Sequence, residues 1–340
     1  MKAIQVPEPG EMELIDKPLP EISSSEDVLV KVEAVGICGS DMHIFHGTSP
    51  VAVYPRVLGH EVVGSVVATG SDVTDLSLGD HVVLDPIEYC GTCYACRLGR
   101  GNVCQTLKVR GVHVDGGFQE YFCVSAENLH RIPAEISFPR AVMIEPYTIG
   151  YQAVWRGGVL SGDLVLIYGA GPTGLVVLDR AKRLGASCIV ADIRDDRLEM
   201  ARSFGADYTI NPGKTSSEEF VNKISAGMGA NVVFDAVGIP SILSEAVHIA
   251  SVAGRVVSMG FANYPADIPL LEISSKELGI YGTRLQTKKF TEVIQDFPMF
   301  LDNVDKMISH VMPYSEFRHA FALLEDNREK TGKVVLTFGD

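Results

Sequence analysis

The sequence predicts an α/β protein with two domains, a barrel-like β domain and a doubly wound parallel sheet covered by helices. Its 340 residues correspond to about two domains at roughly 150 residues each. Short Val- and Ile-rich runs separated by Gly, Pro and Asp dominate the first part of the chain, which is typical of strands. Further on, apolar strands alternate with helical segments, which is the pattern of a buried parallel sheet.

The first region supplies the strands of the barrel-like domain. Val28–Val35, Val62–Thr69 and His81–Asp85 are rich in β-branched residues and have turn residues at their ends, which predicts strands. The last predicted strand, Lys333–Phe338, follows a helix predicted near Glu316–Asn327. Because a closing strand suits a β domain better than a parallel sheet, we expect the tail to return to the first domain.

The second region alternates apolar strands with helical segments. The predicted strands are Leu164–Tyr168, Ser187–Ala191, Val232–Ala236 and Arg255–Met259. The predicted helices are Pro172–Leu184, Arg194–Phe204 and Ile239–Ser251, and a further helix, Lys288–Asn303, opens the tail. Short continuous apolar strands indicate a sheet that is buried on both faces.

The composition excludes several classes of protein. Hydrophobic residues make up 46% and charged residues 21%, which argues against a disordered, collagen-like or coiled-coil chain. The net charge of −14 disfavours nucleic acid and anionic membranes as partners. No apolar run reaches about 18 residues, and the N-terminus lacks the apolar core of a signal peptide, so we expect a cytoplasmic protein without a membrane span.

A glycine-rich segment lies between a predicted strand and a predicted helix. Gly169, Gly171 and Gly174 have the spacing G-x-G-x-x-G, with Pro172 and Thr173 between the last two glycines. The first glycine allows a tight turn, the second lets a pyrophosphate approach the backbone, and the third permits close packing of the helix. The N–H groups at the start of the helix then face the anion. The segment therefore predicts a dinucleotide-binding site.

An acid at the end of the next strand bears on the choice of dinucleotide. Asp192 would accept hydrogen bonds from ribose hydroxyls and repel a 2′-phosphate. NAD is therefore predicted rather than NADP, although Arg194 and Arg197 lie nearby and weaken the preference. Residues that end the later strands are expected to face the nicotinamide, because ligands bind at the carboxyl ends of parallel strands. They are Val237, Gly238, Gly260 and Phe261.

Four cysteines lie within fifteen residues as C-x2-C-x2-C-x7-C, at Cys90, Cys93, Cys96 and Cys104. Four thiolates make a closed tetrahedral site for zinc, so a zinc ion bound there would be structural. An iron–sulfur cluster takes the same ligands, and a redox role for the four thiols is a further alternative. In a reducing compartment, clustered cysteines indicate metal binding more often than disulfides.

A second group of potential metal ligands is dispersed along the chain. Cys38 and His60 carry the thiolate and imidazole that zinc prefers, and a carboxylate from Glu61 or Glu145 would complete three protein ligands. Three ligands leave a fourth position for water or substrate, as a catalytic zinc requires. Each residue alone is more often structural, but their combination with the cysteine lobe and the glycine-rich segment favours a metal site.

Together these motifs resemble the zinc-dependent medium-chain dehydrogenase/reductase (alcohol dehydrogenase) superfamily. The resemblance rests on the order GICGSD, GHE, four-cysteine lobe, EP and GAGPTG, and covers nearly the whole chain. Within the superfamily the sequence is similar to the polyol and threonine dehydrogenase branch, and most of all to the bacterial starvation-sensing dehydrogenase and the L-galactonate/L-gulonate 5-dehydrogenases. The segments YPRVLGHE, GVHVDGGFQEY and MIEPYTIG carry that closer match.

The resemblance implies a particular domain organisation. A GroES-like β-barrel catalytic domain would comprise residues 1–149 and 286–340, with a structural-zinc lobe at 88–106. A Rossmann domain that binds NAD would comprise residues 150–285. Two zinc ions per chain are implied, one catalytic and one structural. Pairing through Phe261–Ile273 would cover an exposed sheet edge and give a homodimer or homotetramer.

The resemblance also implies roles for residues of the catalytic site. Cys38, His60 and Glu145 would bind the catalytic zinc, with Glu61 as a fourth or alternating ligand. Asp41 would orient the imidazole of His60.

The implied reaction is the oxidation of a secondary alcohol of a small polyol or sugar acid by NAD. The proton of the substrate hydroxyl would leave through Ser40 and then His43, and hydride would pass to the nicotinamide. Residues expected to contact the substrate are Arg284, His113, Phe118 and Glu120. L-Threonine 3-dehydrogenase activity is the alternative within the branch, and a nucleotide-binding sensor on the same fold is the non-enzymatic alternative.

Overall fold

The computed structural model describes residues 1–261, 263–326 and 332–339, and the chain forms two compact units. The first unit comprises Met1–Glu145 and Phe290–Asp340, and the second comprises Pro146–Lys289. The functional domain limits expected from the sequence, after residues 149 and 285, remain a prediction. None of the described helices is long and apolar enough to cross a membrane.

The strands and helices of the described residues are numbered here in chain order. The strands are β1 Lys2–Val6, β2 Glu13–Asp16, β3 Asp27–Ile37, β4 Arg56–Val57, β5 Glu61–Thr69, β6 His81–Leu84, β7 Ile87–Glu88, β8 Lys108–Val109, β9 Tyr121–Ser125, β10 Leu129–Arg131, β11 Leu164–Tyr168, β12 Ser187–Ala191, β13 Tyr208–Ile210, β14 Ala230–Asp235, β15 Ala250–Ser258, β16 Gly279–Gly282, β17 Ile308–Pro313 and β18 Lys333–Thr337. The α-helices are α1 Gly39–Phe45, α2 Tyr94–Arg97, α3 Phe138–Ala141, α4 Ile144–Gly157, α5 Pro172–Arg183, α6 Asp195–Ser203, α7 Ser217–Ile224, α8 Pro240–Ile249, α9 Leu270–Lys276, α10 Phe290–Asp296, α11 Leu301–Met307 and α12 Phe317–Asp326. Short 3₁₀ segments occur at Gly101–Val103, Ala126–Asn128, Phe297–Phe300 and Tyr314–Glu316.

The first unit is built on a seven-stranded sheet with the order β10-β6-β5-β3-β18-β17, in which β9 also pairs with β3. Buried side chains alternate along most of β3, because successive side chains of a strand point to opposite faces. Val28, Val30 and Val32 of this strand belong to the hydrophobic core of the unit. The last strand, β18, pairs antiparallel with β3, which confirms the expected return of the tail.

The second unit contains a six-stranded sheet in the order β13-β12-β11-β14-β15-β16, and every pair in it is parallel. Strands β11 and β12 are buried over nearly their whole length, as their continuous apolar sequences predict. The strand order reverses at β11, since β12 and β14 pair with its two edges. In a doubly wound sheet, the carboxyl ends of the strands at such a point form a ligand crevice.

One predicted helix is divided in the structure. The segment Lys288–Asn303 was expected to be a single helix, but α10 ends at Asp296 and a 3₁₀ turn spans Phe297–Phe300 before α11 begins. Pro298 lies in this turn, and proline removes a backbone N–H and clashes with the preceding turn of an α-helix. Asn327, the expected end of the last helix, lies outside the described residues.

Candidate active site

Three potential metal ligands meet in one cluster of the first unit. The ligand atoms of Cys38, His60 and Glu61 all lie within 4.8 Å of one another, and His60 and Glu61 are buried. Cys38 stands at the N-cap of α1 immediately after β3, and Glu61 begins β5. The antiparallel register of β3 and β5 sets Gly36 opposite Glu61. This pairing brings the cysteine to the histidine and glutamate.

Two glycines leave the space that the cluster occupies. A Cβ at Gly36 would lie 2.1 Å from Oε2 of Glu61, so a side chain there would displace the carboxylate. Gly59 has a φ of +90°, which L side chains rarely adopt, and a Cβ there would lie 2.8 Å from the ring of Phe118. Glycine at both positions is therefore a requirement of the local packing.

Asp41 ties the cysteine and histidine segments together. Its Oδ2 accepts the backbone N–H of Cys38 at 2.8 Å. Its Oδ1 accepts the backbone N–H of Gly59 at 3.3 Å and lies 3.6 Å from Nδ1 of His60. Burial lowers the pKa of His60, but the charges of Asp41 and Cys38 outweigh this effect and raise the pKa well above its usual value. Asp41 is therefore placed where it can orient the imidazole.

Glu145 lies beside the cluster. It is buried in the first turn of α4, yet Glu61 is the carboxylate that joins Cys38 and His60 within the described residues. Burial raises the pKa of Glu145 to about 7, the charge of His60 lowers this pKa, and the charge of Glu61 raises it. The family resemblance implies Glu145 as the third ligand and Glu61 as a fourth or alternating one, whereas the structure groups Glu61 with Cys38 and His60.

A buried lysine that the sequence analysis missed pairs with Glu61. Lys333 begins β18, and its side chain is only 5% exposed. Its Nζ donates to Oε1 of Glu61 at 2.6 Å and to the carbonyl oxygen of Ile37 at 3.2 Å. The sequence offered one signal for this pair, because Lys333 begins an apolar strand and a fully buried lysine nearly always has a charged partner. The partner itself is 272 residues away, so no local pattern identifies it.

The cluster suits a zinc ion. Thiolate, imidazole and carboxylate are the ligands that zinc takes in proteins, and three of them leave one position open. Oε2 of Glu61 is buried without a hydrogen-bond partner among the described residues. An unpaired buried acceptor is costly, and a bound cation would compensate that cost.

Ser40 and His43 lie on α1, directly after Cys38, and both side chains are exposed. Residues three apart on a helix are neighbours on its surface. Nδ1 of His43 lies 2.9 Å from Oγ1 of Thr48, and this hydrogen bond restrains the imidazole. The helix thus presents a hydroxyl and an imidazole side by side to solvent.

The four-cysteine lobe forms a second cluster of potential ligands. The Sγ atoms of Cys90, Cys93, Cys96 and Cys104 all lie within 4.8 Å of one another. The backbone N–H groups of Cys90 and Cys93 donate to Sγ of Cys104 and Cys90, respectively, each at 3.3 Å. Hydrogen bonds from Thr92 lower the pKa of Cys90 to about 5. Burial raises the pKa of Cys96 to about 12, so the four thiols differ in their tendency to ionise, and zinc binding is indicated by the short distances between the four sulfur atoms.

In the second unit the glycine-rich loop has the geometry of a phosphate-binding turn. Gly169 has a φ of +94°, and Gly171 is the N-cap of α5 with no atom within 4 Å of its Cβ position. A Cβ at Gly174 would lie 1.8 Å from the carbonyl oxygen of Gly169. Pro172 and Thr173 form the first turn of α5, whose free N–H groups can face an anion.

Asp192 lies beside this loop, directly after β12. Its Oδ2 accepts the backbone N–H of Ala170 at 2.8 Å, and its Oδ1 accepts the backbone N–H of Arg194 at 2.9 Å. A carboxylate oxygen has two lone pairs, so each oxygen can accept a further hydrogen bond. Nη1 of Arg197 lies 3.7 Å from Oδ2 of Asp192.

The loops after β14 and β15 meet at the same edge of the sheet. Oδ1 of Asp235 accepts the backbone N–H groups of Val237 and Gly238, at 3.0 and 2.9 Å. A Cβ at Gly238 would lie 2.9 Å from Cα of Gly260, so the two loops are in backbone contact. The structure thus brings together the strand-end residues that the sequence singled out.

Arg284 follows β16 and stacks on Phe261. Its guanidinium carbon lies 4.9 Å from the centroid of the Phe261 ring, while that ring is 60% exposed. Burial lowers the pKa of Arg284. The stack orders a cation and an aromatic ring at the strand-end edge of the second unit.

The other three residues expected to contact substrate have structural partners in the first unit. Oε2 of Glu120 accepts the backbone N–H of Lys2 at 2.6 Å, and Nδ1 of His113 accepts the backbone N–H of Val109 at 3.1 Å. Phe118 is fully buried in the hydrophobic core. Its ring packs in this core, and its contact with substrate remains a prediction.

The fold and the two ligand clusters define a class of oxidoreductase, in which a metal-binding β unit and a dinucleotide-binding unit are joined in one chain. Residues 24–134 match the family model described as alcohol dehydrogenase GroES-like domain, and residues 172–304 match the model described as zinc-binding dehydrogenase. The chain belongs to the zinc-type alcohol dehydrogenase family.

Relatives match over nearly the full length. The starvation-sensing protein RspB of Escherichia coli is 42% identical, with 100% of each chain covered. L-Galactonate-5-dehydrogenase of Escherichia coli is 33% identical, with 99% of each chain covered. The crystal structure of an alcohol dehydrogenase (rspB) from Escherichia coli CFT073, complexed with NADH, is similar with a TM-score of 0.92, 40% identity and 99% coverage of each chain. Both family models describe dehydrogenases, so the chain is assigned to the enzymes of this family.

Proposed function

We propose that the protein oxidises a secondary alcohol of a polyol or sugar acid, such as L-gulonate or L-galactonate, with NAD as the hydride acceptor. The observation that carries the proposal is the cluster of Cys38, His60 and Glu61, whose donor types suit a catalytic zinc. The similarity to a sugar-acid dehydrogenase supports the substrate class.

We assign two roles to residues of the first unit: some would bind the metal, and others would transfer a proton. Zinc bound there would supply Lewis-acid chemistry that lowers the pKa of the substrate hydroxyl. Asp41, whose Oδ1 lies 3.6 Å from Nδ1 of His60, would orient the imidazole and so preserve the ligand set. Ser40 would accept the hydroxyl proton at Oγ, and His43 would pass it to solvent. Glu145 lies nearby as an alternative ligand.

The residues of the second unit would bind the dinucleotide, which accepts hydride at its nicotinamide. The loop from Gly169 to Gly174 would hold the pyrophosphate against the start of α5. Asp192 would accept hydrogen bonds from ribose hydroxyls, which favours NAD over NADP, and the adjacent Arg197 moderates this preference. The loops that meet through Gly238 and Gly260 would face the nicotinamide half, together with Val237 and Phe261.

The substrate class is proposed from Arg284. A guanidinium group can bind two oxygens of a carboxylate or a diol at once, and its stack on Phe261 reduces the freedom lost on binding. A sugar acid offers both kinds of group. L-Threonine carries a carboxylate as well, so L-threonine 3-dehydrogenase activity stays the alternative.

We propose a second zinc in the lobe of Cys90, Cys93, Cys96 and Cys104, where four thiolates would leave no open position and the role would be structural. Free thiols persist in a reducing compartment, which supports the cytoplasm as location.

The edge strand β16 and the segment Phe261–Ile273 are proposed to pair two chains, as exposed sheet edges do. Ala262 in that segment lies outside the described residues.

The test is an NAD reduction screen with zinc-replete protein, followed by nicotinamide absorbance. The panel contains L-gulonate, L-galactonate, D-mannonate, sorbitol, galactitol, xylitol and L-threonine. We expect turnover on an aldonate, and we expect Arg284→Ala to raise KM for the aldonate more than for a neutral polyol. Turnover on threonine alone would favour the alternative. Silence across the panel, with zinc and NAD bound, would reject the substrate class.

A further inference from the structure

We infer that Lys333 is a positioning residue that restrains Glu61 and so limits how strongly this carboxylate binds the metal at the candidate active site. The inference rests on the proposed function in one respect, since it takes the cluster of Cys38, His60 and Glu61 as the zinc site. Oε1 of Glu61 is held by Nζ of Lys333 at 2.6 Å. Oε2 has no hydrogen-bond partner among the described residues. One carboxylate is therefore shared between an ammonium group and a metal-binding cluster.

The lysine is fixed in this position by the strand that carries it. Pairing of β18 with β3 sets Val334 opposite Ile37, and Nζ of Lys333 also donates to the carbonyl oxygen of Ile37 at 3.2 Å. A buried ammonium that lost its carboxylate partner would be strongly destabilising. Glu61 therefore keeps one oxygen on an ammonium group that is fixed in place, which leaves its other oxygen for the metal.

Gly36 restrains the same carboxylate from the other side. Its missing side chain leaves the space that Oε2 of Glu61 occupies, because a Cβ would lie only 2.1 Å away. The carboxylate is thus seated between the backbone of β3 and the ammonium of β18. Gly36 and Lys333, which are not metal ligands themselves, therefore determine the position of the carboxylate. Contacts of this kind around the ligands are known to tune metal sites.

The positive charge of Lys333 should also weaken metal binding at this site. Lys333 places an ammonium group 2.6 Å from Oε1 of Glu61, and both side chains are buried. A positive charge in a buried site repels a divalent cation. Removing it should tighten metal binding and also release Glu61 toward the metal.

The test substitutes Lys333→Met in the full chain and measures zinc affinity by chelator competition. We expect zinc affinity at the site of Cys38, His60 and Glu61 to rise by about tenfold, with a fall in kcat because a more strongly bound Glu61 would weaken the polarisation of the substrate hydroxyl by zinc. Because Glu61 would also bind cobalt(II) more strongly, we expect a shift in the cobalt(II) absorption spectrum of the site. Its single thiolate distinguishes it from the four-cysteine site. Lys2→Met is the matched control, since Lys2 pairs with Asp16 at 2.8 Å on the surface of the same unit.

Two further variants keep the result interpretable. Lys333→Arg retains the charge and should bind zinc as the wild type does, while Lys333→Gln retains a donor for Ile37 and replaces Lys333→Met if that variant fails to fold. In a Glu61→Gln background, Lys333→Met should change zinc affinity much less. Unchanged or weaker zinc binding in a folded, uncharged variant would overturn the inference. A wild-type protein that binds no zinc at this site would instead overturn the proposed function.

Discussion

We predict that protonation of His130 destabilises the folded protein in mild acid, and that the loss of stability depends on how far burial lowers the pKa of its imidazole. The imidazole lies in β10 and stacks on the ring of Phe290, with centroids 4.7 Å apart and planes 11° apart. Burial lowers the pKa of His130 from 6.5 to about 4. The unfolded chain therefore takes up this proton at a higher pH than the folded protein, and stability present above pH 6.5 is lost as the pH falls toward 4. At about 1.4 kcal/mol per pH unit, the loss is about 3 kcal/mol.

The assay is urea unfolding of the wild type and His130→Gln, followed by circular dichroism between neutral pH and about pH 4. The variant has no proton to gain, so its free energy of unfolding should fall less steeply, and the difference between the two proteins should change by about 3 kcal/mol. Phe290→Leu is the control, because it removes the stack but keeps the histidine. Parallel pH curves for wild type and His130→Gln would refute the reasoning.

Three further predictions concern the structural lobe and the nucleotide loop. Cys104→Ser should remove one zinc ion per chain by atomic emission, because a closed site needs all four thiolates, whereas Cys123→Ser should retain both ions. Gly174→Ala should abolish NAD binding in calorimetry, since its Cβ would lie 1.8 Å from the carbonyl oxygen of Gly169. Asp192→Ser should raise kcat/KM for NADP relative to NAD by about tenfold or more. Unchanged zinc content, NAD affinity or dinucleotide preference, respectively, would contradict each prediction.

The second unit was the more predictable part of the fold. Strands β11 and β12 span the residues that the sequence predicted, Leu164–Tyr168 and Ser187–Ala191, because a buried parallel strand depends on a continuous local apolar run. The segment Lys288–Asn303 was less predictable. Its apolar residues keep a helical spacing through Pro298, but proline interrupts the α-helix at that point.

The candidate site was predictable in its residue types but not in its arrangement. Cysteine, histidine and glutamate in short motifs indicate a metal by their chemistry alone. The grouping of Glu61 with Cys38 and His60 depends on the pairing of β3 with β5, which no local pattern specifies. Lys333 was missed for the same reason, since its contact with Glu61 joins opposite ends of the chain.

The return of β18 to the first unit also constrains the order of events during synthesis. The second unit is continuous in sequence, from Pro146 to Lys289, so all of its strands emerge before β18 does. The 272 residues between Glu61 and Lys333 correspond to roughly 15 to 50 seconds of translation. Throughout that interval the part of one edge of β3 at residues 34–37 lacks its partner strand, whereas β9 pairs with residues 27–31, and an unpaired edge invites wrong pairing. The candidate metal site can therefore reach its final form only after β18 leaves the ribosome, so nascent chains stalled before that point would hold the potential ligands without the lysine.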